Sequence, residues 1–271
     1  MSVLSRLPPM LERHELKYAI PYSYVELISN FITPYCSPDY YSSISPDGHY
    51  QVNTLYLDTR SLEFLKHRLW GKDGRFNVRV RCYGDGGKKP YYLEIKVKRG
   101  FTGVKHRVVV DDGTWPAILD DPNFRVSRGL SDDERNGLER FHRVVTSYAL
   151  EPKILTRYQR KAYFSTIDSY ARVTMDMDLK YQIHENCSLI PDGSMVSYDS
   201  ETIFANNTHS DACVVLELKC NVGQVPKWML DLITHFELKQ EGFSKYANSI
   251  LALSIDDGDH YMTRDRKSTE Y

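Results

Sequence analysis

The sequence lacks the long apolar run that a membrane-spanning helix requires. No stretch approaches the roughly 20 apolar residues that cross a bilayer, and the N-terminus MSVLSRLPPM has no apolar core of a signal peptide. The five cysteines are odd in number and contain no C-x-x-C pair, which argues against a disulfide framework or a cysteine zinc site. These absences predict a cytoplasmic protein with no membrane segment in this chain.

Several common site motifs are absent as well. The sequence has neither a G-x-x-x-x-G-K-[ST] loop nor a G-x-G-x-x-G loop, so a nucleotide would not be held in the P-loop or dinucleotide manner. The nine histidines form no H-E-x-x-H motif. The net charge is −1, from 35 basic and 36 acidic residues, which is unlike the basic excess of proteins that bind duplexes non-specifically. A nucleic-acid partner is therefore not expected.

What the chain does contain is six strand-like segments with charged or polar residues at every second position. Because strand side chains alternate between two faces, each segment has one charged face and one apolar face. The sets are Arg13, Glu15, Lys17; Arg79, Arg81; Glu94, Lys96, Lys98; Lys105, Arg107; Arg172, Thr174, Asp176, Asp178; and Glu217, Lys219. A single charged face of this kind would be expected to face solvent. Six charged faces favour a sheet that curls them around a polar lumen. So many cations there require an anion.

The remaining pattern predicts an α+β fold in which helices cover the apolar faces of an antiparallel sheet. Helical spacing or a capping signal is found at residues 24–31, 61–70, 131–149, 228–238 and 244–253. Ser131 and Glu134 form a capping box. No repeat or low-complexity linker divides the chain, so residues 1–255 are predicted to be one domain. Residues 256–271 are predicted to be a charged, disordered tail.

The order of the segments carries a resemblance to a known family. ERHELKY, YQVNTLYLDT, RVRCY, LEIKVK, KHR, RYQRKAY, RVTMD, LELK and GFSKY together resemble the catalytic domain of the vacuolar transporter chaperone (VTC) family of polyphosphate polymerases. That domain belongs to the triphosphate tunnel metalloenzymes, whose relatives include the CYTH-type triphosphatases. The resemblance runs from about Glu12 to about Ser254. It implies an antiparallel eight-stranded β-barrel whose tunnel binds a linear triphosphate or polyphosphate.

The resemblance also implies roles for the cations. By motif position, the phosphate ligands are Lys17, Arg79, Arg81, Lys96, Arg160, Arg172, Lys219 and Lys245, with Tyr158 on the face of Arg160. The catalytic set is Arg79, Arg81, Arg160, Arg172 and Lys219. The substrate-binding set adds Arg13, Lys98, Lys105 and Arg107 from the alternating faces. Lys245 is predicted to act from the start of the last helix, with Ser244 as its cap.

Carboxylates among these cations indicate a metal. Glu217 falls where the family places its metal ligand, so Mn²⁺ or Mg²⁺ is the expected cofactor, bridging the carboxylate to substrate oxygens. Glu15, Glu94 and Asp176 are further candidates, either as metal or water-mediated ligands or as groups that keep the empty tunnel from repelling itself. For these three residues the neutralising role is preferred.

The expected reaction is transfer of the γ-phosphate of ATP onto a polyphosphate chain. Triphosphatases of the superfamily carry E-x-E-x-K, whereas here the same face reads Arg13, Glu15, Lys17. This replacement favours a polymerase and argues against a two-metal mechanism. Two alternatives are an inorganic or nucleoside triphosphatase and a polyphosphate-binding module without turnover. Expected partners are ATP, inorganic triphosphate or polyphosphate, and a membrane partner protein is compatible with the family, whose larger members carry membrane segments.

Overall fold

The computed structural model describes residues 13–87, 90–99, 102–121, 123–126, 130–198 and 211–256. The predicted tail lies, apart from residue 256, outside these residues, and so does the side chain of Arg13, whose backbone opens the first strand. Among the helices that are described, none is long and apolar enough to span a membrane.

Ten strands form one antiparallel sheet. They are β1 (Arg13–Pro21), β2 (Cys36–Pro38), β3 (Tyr50–Asp58), β4 (Arg75–Tyr83), β5 (Tyr91–Arg99), β6 (Thr102–Val110), β7 (Glu151–Ser165), β8 (Arg172–Ile183), β9 (Val196–Ser197) and β10 (Ala212–Asn221). The eight long strands follow the order β1-β10-β8-β7-β3-β4-β5-β6, while β2 pairs with β7 and β9 pairs with β8. The predicted α+β class and the hairpins β4–β5 and β5–β6 are confirmed.

Hydrogen bonds do not close this sheet. Within the described residues β1 pairs with β10 and β6 pairs with β5, but β1 and β6 do not pair with each other. The predicted closed eight-stranded barrel is therefore not confirmed. The sheet nevertheless curls, as the 2.7 Å distance between Lys96 Nζ on β5 and Glu15 Oε2 on β1 shows. In a flat sheet these strands, six spacings apart, would be separated by about 29 Å. The charged face is concave, and side chains cross its open side.

Seven helices are described, and most of them cover the convex face. They are α1 (Tyr24–Ile32), α2 (Tyr40–Ile44), α3 (Glu63–Leu69), α4 (Ala117–Asp120), α5 (Asp132–Tyr148), α6 (Lys227–His235) and α7 (Lys245–Asp256). α1 and α6 bury Ile28 and Met229 against β1, β8 and β10. α5 buries Phe141 against β3 to β6, and the predicted capping box at its start is confirmed. The apolar face of every long strand thus obtains a cover, which leaves the charged face free for a site.

The last helix lies on the other side of the sheet. Tyr246 and Ala247 of α7 pack into an inner apolar cluster with Tyr56 of β3 and Leu179 of β8. Ser244 Oγ accepts a hydrogen bond from the Ala247 amide at 3.3 Å, as expected of a helix cap. The part of the concave face that contacts α7 is therefore apolar, while charged side chains occupy the rest of it.

The charged set on β8 ends earlier than the alternation predicted. Asp178 has a left-handed φ of 49°, and the pairing with β7 shifts between Arg157 and Gln159. Such a β-bulge adds one residue and reverses the alternation beyond it. Asp178 is exposed and borders a cavity with Tyr22 and Asp47, so the prediction that it shares a face with Asp176 is wrong.

Candidate functional site

The concave face brings the predicted site residues together from seven strands and one helix. β1 contributes Glu15 and Lys17, β4 Arg79 and Arg81, β5 Glu94, Lys96 and Lys98, β6 Lys105 and Arg107, β7 Tyr158 and Arg160, β8 Arg172 and Asp176, β10 Glu217 and Lys219, and α7 Lys245. Three carboxylate-centred groups organise most of these cations. Their geometry separates neutralising carboxylates from a carboxylate that could hold a metal.

The first group is centred on Glu94 of β5. Arg79 Nε donates to its Oε2 at 2.6 Å, while Arg107 Nε at 2.7 Å and Lys105 Nζ at 2.6 Å contact Oε1. The Glu94 side chain is 1% exposed. Burial opposes its charge, yet Arg79, Arg81 and the neighbouring cations hold the pKa of Glu94 well below its ordinary value. Both carboxylate oxygens are therefore already engaged by cations.

The second group is centred on Asp176 of β8. Arg160 binds it through Nε–Oδ1 at 2.6 Å and Nη2–Oδ2 at 2.8 Å, the bidentate geometry typical of arginine. Lys245 Nζ lies 2.6 Å from Oδ2 and 4.5 Å from the centre of the Tyr158 ring. Although burial works against ionisation, Arg160 and Lys245 lower the pKa of Asp176. Lys245 thus points into the concave face from the start of α7, as the sequence predicted for its position.

The third group holds Glu217 and Glu15 on neighbouring strands. Glu217 of β10 is opposite Lys17 of β1 in register, and Glu15 is opposite Lys219. Among the described residues Glu217 forms one long ion pair, in which Lys219 Nζ lies 3.4 Å from Oε2. Despite burial, Lys219 and Lys17 hold the pKa of Glu217 well below its ordinary value, so it is a buried anion. Unlike Glu94 and Asp176, it is not saturated by close donors.

These contacts test which carboxylates suit a divalent cation. Glu94 and Asp176 place every oxygen within 2.8 Å of a cationic nitrogen, so the geometry favours their neutralising role. Glu15 meets the same criterion, since both of its oxygens contact Lys96 Nζ, at 2.8 and 2.7 Å. Of these four carboxylates Glu217 is the one that fits Mg²⁺ or Mn²⁺, which bind through one or two carboxylates and complete their shell with water and phosphate oxygens. The described residues form no cluster of three or more His, Cys, Asp or Glu side chains. A metal here would depend on substrate oxygens.

Two buried hydroxyls in the site have no protein partner within the described residues. They are Thr174 Oγ1 and Tyr158 Oη, on side chains that belong to residues 7% and 1% exposed. Thr174 is paired with Glu217 across β8 and β10, and Tyr158 lies beneath Arg160 and Lys245. A buried hydroxyl without a partner is costly.

The remaining predicted cations border the same space. Arg81, 5% exposed, donates through Nε to Thr54 Oγ1 at 3.1 Å. Arg172 stacks on Phe164 at 4.4 Å and is opposite Lys219 in register. Lys17 Nζ donates to the carbonyl oxygen of residue 243 at 2.9 Å. The role of Arg13 stays a prediction, since its side chain is not among those described.

A tyrosine cluster at the rim was not predicted. Tyr41 of α2 shares a 3.0 Å hydrogen bond with Tyr92 and packs on Tyr83 and Tyr50 with ring centres 4.7 and 5.2 Å away. Arg107 joins it, lying over the Tyr92 ring at 4.4 Å. The 20 tyrosines of the sequence were a signal, but only the fold brings together Tyr41 and residues of three strands.

Burial of Lys17 gives a testable pH dependence. Burial, only partly offset by Glu217, lowers the pKa of Lys17 to about 8. A protonated Lys17 attracts an anion and a neutral one does not, so triphosphate affinity should fall as the pH rises above 8, by up to about tenfold per pH unit. Calorimetric titrations between pH 7 and 9.5 measure this.

Lys17→Arg is the matched control, because arginine stays charged throughout this range. The ratio of wild-type to variant affinity cancels the titration of triphosphate itself. A ratio that stays constant with pH would show that Lys17 does not contact the anion.

The comparisons with known proteins agree with the resemblance read from the motifs. The family model described as the VTC domain matches residues 12–254. The search of curated proteins found no match.

Solved structures offer only distant similarity. A protein from Hippeastrum, described as a proposed adenylyl cyclase with a dominant triphosphatase activity, is 12% identical, with 90% of this chain and 95% of that chain covered and a TM-score of 0.45. A proposed adenylate cyclase from Bacillus halodurans is 10% identical, with 86% and 96% covered and a TM-score of 0.45. The Mimivirus capping enzyme triphosphatase is 9% identical, with 85% and 89% covered and a TM-score of 0.32.

Proposed function

The chain belongs to the VTC domain family, and from this premise we propose that it is a metal-dependent phosphotransferase that moves the γ-phosphate of ATP onto a polyphosphate chain. The observation that carries the proposal is the concave face, where cations from β1, β4 to β8, β10 and α7 surround one buried, unsaturated carboxylate, Glu217. A surface that only bound polyanions would gain nothing from that carboxylate, because it repels them. A metal-bridged phosphate turns the repulsion into attraction.

The side chains present can do what phosphoryl transfer requires. Arg79, Arg81 and Arg160 present planar donor groups to phosphate oxygens, and Glu94 and Asp176 hold two of these groups in position. In the reaction the bond between the γ-phosphorus and the β–γ bridging oxygen breaks, and a terminal oxygen of the acceptor chain forms the new bond. Negative charge that develops on the transferring group is stabilised by the same cations. A protein nucleophile is not required.

A divalent cation bound by Glu217, with Glu15 next to it, would supply further charge neutralisation at the phosphate oxygens. Lys17 and Lys219 flank this position on β1 and β10. Their mobile ammonium groups can follow the phosphate as it moves, whereas the guanidinium groups hold a fixed geometry.

Hydrolysis is the second candidate, and the position of Glu15 favours it. Glu15 interacts electrostatically with Glu217, so a second carboxylate lies near the proposed metal ligand even though Arg13 occupies the position of the superfamily's first glutamate. To bind a metal, Glu15 would have to exchange Lys96, which contacts both of its oxygens. A water directed at the γ-phosphorus in place of the chain would make the protein a triphosphatase.

The experiment that tests the proposal is the primer dependence of ADP formation. The purified chain is incubated with ATP and Mn²⁺, with and without short polyphosphate, and ADP is measured over time. A polymerase should form ADP faster when primer is present and should lengthen that primer on a gel. If the rate of ADP formation is the same with and without primer and the primer keeps its length, the result would favour a hydrolase.

A further inference from the structure

Two arginines, Arg68 and Arg75, extend the cationic face beyond the predicted site residues and lie near Lys98, one of the predicted substrate-binding residues. Arg75 opens β4 and is directly opposite Lys98 of β5 in register. Because residues two apart share a face of a strand, Arg75 continues the face of Arg79 and Arg81. A strand rises about 3.3 Å per residue, so Arg75 lies roughly 13 Å along β4 from Arg79. The cationic face is therefore longer than the sites at Glu94 and Glu217.

Arg68 adds to this end from a helix. Leu65 of α3 packs into the inner apolar cluster, and Arg68, three residues later, lies on the same side of the helix. Electrostatic interactions connect Arg68 with Arg75 of β4 and with Glu15 and Lys17 of β1. α3 packs against β3, β4 and α7, and the charge of Arg68 acts on residues of both β4 and β1.

This end of the face is short of negative charge. Like charges directly opposite on adjacent strands destabilise a sheet, and Arg75 and Lys98 are such a pair. In the part of the chain that the structure describes, Arg68, Arg75 and Lys98 form no ion pair with a carboxylate. Glu15 acts on Arg68 and Lys98 from a distance, but its two oxygens already receive hydrogen bonds from Lys96.

We propose that Arg68, Arg75 and Lys98 form a secondary phosphate-binding patch, which holds the part of a polyphosphate chain that extends beyond the triphosphate-length segment on the concave face. Three linked phosphoryl groups in contact with Arg79 and Arg81 do not reach this patch, whereas a longer chain does. The patch thus makes affinity depend on chain length. This inference rests on the proposed function, since it assumes that phosphate chains occupy the concave face.

The test compares two ligands, inorganic triphosphate and long-chain polyphosphate, on the double variant Arg68→Ala/Arg75→Ala. Affinity for the long chain should fall by about tenfold or more, because two charge-assisted contacts are lost. The slope of log affinity against log salt should decrease by about one for each lost contact. Affinity for triphosphate should change by less than about twofold, and this retained binding also shows that the variant is folded.

The matched control is Arg135→Ala/Arg143→Ala, which removes the same charge from exposed positions on α5, a helix of the convex face. It should leave both affinities unchanged. An equal loss for both ligands in the test variant, or a long-chain loss as large in the control, overturns the patch. If the unmodified chain binds neither ligand, the proposed function itself fails, and the patch fails with it.

Discussion

Glu217→Gln is expected to abolish metal-dependent turnover while leaving polyanion binding intact or stronger. The substitution removes the carboxylate that is free to hold a metal and deletes one buried negative charge from a cationic face. Glutamine preserves the shape of the side chain, so packing between β1 and β8 should be retained. Turnover is measured as ADP formation with Mn²⁺, and binding as triphosphate affinity without metal.

Asp178→Asn is the matched control for this change. It also removes one carboxylate charge, but from an exposed position at the bulge of β8, and should leave turnover unaltered. Full activity of Glu217→Gln would mean that the metal site is elsewhere. A combined loss of turnover and anion binding would assign Glu217 to folding of the face.

Arg79→Ala should reduce both the rate of phosphoryl transfer and the affinity for triphosphate. Its guanidinium is fixed by the 2.6 Å contact with the buried Glu94, and a preorganised donor in such a setting contributes roughly 10²-fold or more to a rate. Steady-state kinetics with ATP and primer, together with triphosphate titrations, measure the two effects.

Arg79→Lys separates charge from geometry. Lysine keeps the positive charge but lacks the planar pair of donors, so it should recover affinity better than rate. Wild-type kinetics in Arg79→Ala would contradict a role for the Glu94 group in the reaction. Equal rates and affinities of the alanine and lysine variants would contradict a specific role for the planar guanidinium group of Arg79.

Several features of this site could be predicted because they follow from local rules. The two-residue period of Arg79 and Arg81, or of Glu94 and Lys96, fixes which side chains share a face whatever the strands pair with. The cap at Ser131 and the amphipathic spacing of the helix after it are likewise local. These local signals were enough to predict the strands and helices and the residues that share the charged face of the sheet.

Other features depend on contacts distant in sequence, which no local pattern encodes. The pairing of Asp176 with Lys245 joins residues 69 positions apart, and this contact favours a neutralising role for the carboxylate over a metal-binding one. Asp178 was misplaced because a bulge interrupts an otherwise regular alternation. Arg68 was missed because its helix shows no charge periodicity, and its electrostatic interaction with Glu15 of β1 arises only when the sheet curls. Closure of the barrel also depends on edge strands whose pairing the alternation does not specify.

The most direct test follows the γ-phosphorus itself. The protein is incubated with ATP labelled at the γ-phosphate, Mn²⁺ and short polyphosphate. At early times the amounts of label in orthophosphate and in acid-labile phosphate chains are measured separately. Transfer on the cationic face predicts that nearly all label leaving ATP is found in lengthened chains, in proportion to ADP. Label released as orthophosphate one for one with ADP would contradict transfer and identify the protein as a triphosphatase.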